Sequence, residues 1–107
     1  MKNGNAVELA IALMKKHGLR NWKLLLGSSK SNHGECDFNT RTIILSRNFV
    51  QKSTFWEVRD TILHEIAHAL RGNHYHDDKW KAVAESVGAL PLRVATKVGR
   101  RHGKRKT

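Results

Sequence analysis

Val7, Ala10, Ile11 and Met14 recur at the i, i+3, i+4, i+7 spacing of an amphipathic helix, and Gly18 follows where such a helix closes in a left-handed residue. A first helix is predicted over about residues 5–17. Trp22, Leu24 and Leu26 then alternate, as do Cys36 and Phe38, and Thr42-Ile43-Ile44-Leu45 is a β-branched apolar run behind the turn-forming Asn39-Thr40. Three short strands follow, the first two separated by a Gly/Ser/Asn-rich loop over residues 27–34. The strand at about 41–46 is expected at a sheet edge. Thr54 and Glu57 form a capping-box pair, and Val58, Ile62, Ile66 and Leu70 mark one apolar stripe, so a second helix spans about 55–71 and stops at Gly72. Asp77 or Asp78 caps a third helix that buries Trp80, Val83, Ala84 and Val87 and ends at Gly88, ahead of Pro91. Residues 89–107 are expected to begin helically and fray.

The chain has 107 residues and is about 46% apolar once glycine is counted, which suits one domain with a single modest core and excludes global disorder. Charge changes the picture at one end. Lys and Arg number 20 against 9 Asp and Glu, and seven of the basic residues (Arg93, Lys97, Arg100, Arg101, Lys104, Arg105, Lys106) lie in the acid-free stretch 91–107, leaving a net +4 on the rest. Such a stretch is a candidate for nonspecific contact with DNA or RNA, against the alternative of a solvated, disordered end. Cys36 is the single cysteine, so neither an intramolecular disulfide nor a CxxC metal site can form, and an intracellular, cytoplasmic setting is expected. Glu8 interrupts the only early apolar stretch, so no signal peptide is read, and no apolar run is long enough to span a membrane.

The chemistry concentrates in His64-Glu65-Ile66-Ala67-His68. Residues four apart share one helical face, so the two imidazoles can converge on one zinc ion, with Glu65 beside the first of them as general base. From this composition an accidental HExxH has a chance of about 2%. The histidines lie about 60–160° around the helix from the apolar stripe, where a cleft can open beside the core. His74 and His76 both follow closely enough to be the third ligand. His74 has the metzincin spacing, but the glycine of that motif falls one place late and no methionine follows Met14. His76 precedes the third helix, and Trp80, four residues on, is placed to pack beneath it.

In HEIAHALRGNHYHDDKW the sequence resembles the SprT-like family of small zinc metallopeptidases, whose pattern is HExxH, a short loop, then a histidine with a tryptophan four residues on. The resemblance covers about residues 5–90. It implies an α+β fold with a compact zincin-like core in residues 1–92, followed by a basic tail over 93–107. It further implies one Zn2+ per chain held by His64, His68 and His76, with Glu65 as catalytic base and Trp80 as support. The family's link to proteolysis at DNA makes the expected partners a protein or peptide substrate and nonspecific DNA. His74 and Tyr75 are candidate outer contacts to ligand or substrate, Tyr75 as an oxyanion donor. Cys36 is read as a buried strand residue, His17, His33 and His102 as exposed, and Trp22 and Trp56 as core or boundary aromatics. Two rivals are a YbeY-like zinc endoribonuclease using His64, His68 and His74, which Glu65 argues against, and a nucleic-acid-binding module whose zinc is structural.

Overall fold

The computed structural model describes residues 1–89; the basic residues from Arg93 onward, the boundary at 92/93 and His102 lie outside this range. Helix α1 spans Asn3–Lys16, strands β1, β2 and β3 span Lys23–Gly27, Gly34–Asp37 and Thr42–Ser46, and helices α2, α3 and α4 span Arg47–Lys52, Phe55–Arg71 and Asp78–Val87. The architecture is α+β, with the helices assembled around one three-stranded sheet.

The sheet order is β1-β3-β2, with β1 parallel and β2 antiparallel to β3. Here the structure corrects the sequence reading: the strand expected at an edge is the central one. Thr42, Ile43, Leu45 and Ser46 are all buried, as a strand with neighbours on both sides requires. β2, which carries Cys36, is an edge.

Ile43 and Leu45 meet Val58, Ile62, Leu63 and Ile66 of α3 in the core, and Ala84 and Val87 of α4 close it on the other side. Trp80 is completely buried and is the largest side chain in this core. α1 forms as expected and buries Ala10 and Met14 of its predicted face, but the buried face is rotated from that prediction: Ala6 and Leu13 join them, while Ile11 is 47% exposed. Two alanines on the inner face allow the helix backbones to approach closely, which the larger Val7 and Ile11 would prevent. Leu70, at the end of the expected stripe, is exposed, and so is Trp56, which therefore belongs neither to the core nor to its boundary. Trp22 is half-buried against Phe38. The short helix α2 has no counterpart in the sequence reading because six residues are too few to establish a period.

The ends of α3 follow the capping signals. The Thr54 hydroxyl accepts from Glu57 N–H, the Glu57 carboxylate accepts from Thr54 N–H at 2.8 Å, and Gly72 closes the helix at φ 90°. Because these bonds fix where the helix begins, they also fix the rotation of its histidine face. Thr54→Ala is expected to cost about 1 kcal/mol in urea denaturation.

Candidate metal centre and cleft

His64, Glu65 and His68 lie on α3 facing a cleft of about 870 Å³ whose opposite wall is β2. All three are buried: each is less than 10% exposed. His76 reaches the same point from the loop between α3 and α4. The Asp77 carboxylate fixes that loop by accepting from Trp80 N–H at 2.9 Å as the N-cap of α4 and by pairing with Arg71 at 3.1 Å.

The ligand atoms of His64, His68 and His76 lie within 4.8 Å of one another. His76 Nε2 is 3.0 Å from His68 Nε2 and 3.4 Å from His64 Nε2. His68 Nδ1–H donates to the Asn73 carbonyl at 3.0 Å, which places the lone pair of that ring on Nε2, facing the other two. Four-coordinate zinc with bonds of 2.0–2.1 Å separates its ligands by about 3.3 Å, so this donor set fits the ion in type, number and spacing. Trp80 lies under all three rings, its centroid 4.9, 5.3 and 4.8 Å from those of His64, His68 and His76.

Burial governs the electrostatics. It lowers the pKa of His64 to about 3 and of His68 to about 4, with the neighbouring imidazoles adding to the effect, so both rings are neutral near pH 7, the state a ligand requires. Burial also raises the Glu65 carboxyl to about 8, with the Glu35 charge a lesser cause. Cys36 is buried as expected, and burial pushes its thiol to about 12, ahead of the charges of Glu65 and Asp37, so no thiolate forms near neutral pH.

His74 does not join the cluster. Its Nε2–H donates to the Cys36 carbonyl at 2.8 Å, and its ring packs on Phe38 at 4.7 Å. Tyr75 is 69% exposed and lies outside the residues lining the cleft. His33 lines the cleft and is half-buried, stacked on Phe49 at 4.1 Å, where the sequence suggested an exposed loop residue. His17, expected to be exposed, is likewise half-buried.

Sequence reasoning missed Gly34. A Cβ there would lie 3.1 Å from Thr61 Cγ2 and 3.3 Å from Glu65 Cγ, so its missing side chain lets β2 run directly over Glu65. The signal was present as the last glycine of the loop, immediately before an alternating strand. β2 also exposes its backbone in a defined pattern. Ser46 N–H donates to the His33 carbonyl, so in the register His33↔Ser46, Glu35↔Ile44, Asp37↔Thr42 the odd residues bond β3, and Gly34 and Cys36 turn N–H and C=O toward the edge that no other strand among the described residues pairs with, the free edge.

Residues 5–102 match the SprT-like family. The chain belongs to this family of zinc metallopeptidases. The match extends past the described residues into the basic stretch. Among solved structures, the SprT-like chain is similar to the metallopeptidase zymogen of Methanocaldococcus jannaschii jannalysin, at 16% identity and a TM-score of 0.68 over 76% of this chain and 79% of that one. It is also similar to the metallopeptidase zymogen of Pyrococcus abyssi abylysin, at 23% identity and a TM-score of 0.66 over 77% and 78% of the two chains. At these identities the likeness establishes the fold. No curated protein matches the chain.

A stability prediction follows from the neutral histidines of this SprT-like centre. Their folded pKa values lie below the ordinary 6.5, so as pH falls from about 6.5 toward 3 the unfolded chain takes up protons that the folded one refuses. Metal-free protein is expected to lose stability across that window and to level off below it, as read by urea denaturation, whereas His64→Asn should flatten the slope.

Proposed function

We propose that the protein is a zinc-dependent endopeptidase in which Glu65 is the general base. The observation that carries this reading is the convergence of three imidazole Nε2 atoms beside a buried carboxyl on one wall of an open cleft. Zinc, held by His64, His68 and His76, would supply a Lewis acid that polarises the scissile carbonyl and acidifies water. The Glu65 carboxylate takes a proton from the attacking water and then delivers it to the departing amine nitrogen. Its raised pKa suits a group that must hold that proton between the two transfers.

An extended substrate pairs with the free edge of β2, whose Gly34 and Cys36 amides face the cleft, so affinity comes from main-chain bonds with little side-chain selection. The bond from His74 to Cys36 favours peptidase over the ribonuclease reading, which needs His74 as a metal ligand, and over a closed structural site. The seven basic residues from Arg93 to Lys106 suit a protease that works on protein held at DNA, and an intracellular location accords with a lone cysteine.

Glu65→Gln is expected to retain zinc and to lower turnover by about 10²- to 10⁴-fold in a gel time course with a DNA-binding protein substrate. Unchanged turnover would remove Glu65 from the mechanism. Removing residues 93–107, with their seven basic residues, should lower the salt dependence of single-stranded DNA binding by up to about five log units per log unit of salt. An unchanged slope would exclude the basic stretch as the DNA contact.

A further inference from the structure

The free edge of β2 offers four main-chain groups in order: Gly34 N–H, Gly34 C=O, Cys36 N–H and Cys36 C=O. The last of them is occupied. His74 Nε2 lies 2.8 Å from the Cys36 oxygen, and since a carbonyl can only accept, Nε2 carries the hydrogen. Phe38, packed on the His74 ring on one side and edge-on to Trp22 at 5.9 Å on the other, holds the imidazole in place. Beyond Cys36 the strand ends: the Asp37 carboxylate accepts from Asn39 and Thr40 N–H at 3.0 and 3.4 Å, turning the backbone into the hairpin. His74 thus covers the last acceptor before the turn, while Gly34, over Glu65, lies at the reacting end.

We propose that His74 is a specificity-determining residue that ends the substrate-pairing edge at Cys36, so that the cleft accepts an extended peptide whose main-chain pairing stops at Cys36 N–H. The inference rests on the peptidase reading for the identity of the ligand, an extended peptide. It assigns His74 neither to the metal nor to the chemical step. On one side of the scissile bond, residues beyond the one paired with Cys36 N–H gain no main-chain bond and are not selected. His74→Ala uncovers an acceptor for one more substrate amide, and His74→Gln, whose side-chain amide can donate to the same carbonyl, keeps it covered.

The test uses peptide hydroxamates on the zinc-loaded full chain, because the chelating end fixes the register at the histidine cluster and affinity is read without turnover. Two series are lengthened one residue at a time, one extending N-terminally from the hydroxamate and the other C-terminally, with dissociation constants from calorimetry. In one series the wild-type affinity is expected to rise and then level. In His74→Ala the step added by the residue opposite Cys36 should be larger by roughly two- to tenfold, because an antiparallel partner takes both Cys36 bonds through that one residue, and His74→Gln should follow the wild type. In the other series all three proteins should coincide. Identical profiles for wild type and His74→Ala, or an equal loss at every length, would overturn the proposal, the second outcome marking His74 as a mere tether of the loop carrying His76. A protein that shows the expected profiles yet cleaves no protein substrate would refute the peptidase reading alone; one that cleaves with unaltered profiles would refute only the role of His74.

Discussion

The contact between the Trp80 indole and the three imidazoles is the constraint on which the rest of the molecule depends. Trp80 is fully buried in the middle of the core, and the same ring is the floor on which His64, His68 and His76 stand. A centre built on the solvent face of a helix would keep its ligands wet and mobile. Here α4 docks on α3 through the tryptophan, and the loop that must bring His76 back to the cluster is tied down by the N-cap of that same helix. Packing of the core and placement of the three histidines are therefore one event, and a change that loosens α4 also opens their cluster.

Such a centre has an internal electrostatic tension. Burial strips water from two imidazoles and a carboxyl, which keeps the rings neutral and the carboxyl protonated in the metal-free chain. Three converging nitrogen lone pairs repel one another in that environment unless a cation or a proton lies between them. Any free energy gained on metal binding is thus also free energy of folding.

Much of this was legible in the sequence, for reasons that separate cleanly. α3 was readable because its capping box, its four-residue repeat of apolar positions and its terminal glycine are all local signals. The HExxH spacing turns directly into a shared helical face, and Asp77 and Trp80 announce α4 in the same way. The sheet order was not readable. The run Thr42–Ser46 has the same composition at an edge or at a centre, and only the long-range parallel pairing of β1 to β3 decides it. Likewise the face that α1 presents depends on how closely a neighbour can approach, which favoured Ala6 and Ala10 over the more hydrophobic Val7 and Ile11. The Cys36 carbonyl could not be found at all from residue types, since backbone groups have no letter of their own.

The alternation Gly34, Glu35, Cys36, Asp37 has a consequence for how the chain finds its fold. Strand side chains have a period of two, so sliding β2 by one residue against β3 would exchange the two small inward residues for the two acidic ones. Glu35 would then enter the space over Glu65 that only a hydrogen atom of Gly34 now fills, setting two carboxyls against each other away from water. The misregistered sheet is excluded by charge as well as by volume. The four residues that border the cleft therefore act as a checking device during assembly, and the strand can settle only in the register that leaves Glu65 uncrowded.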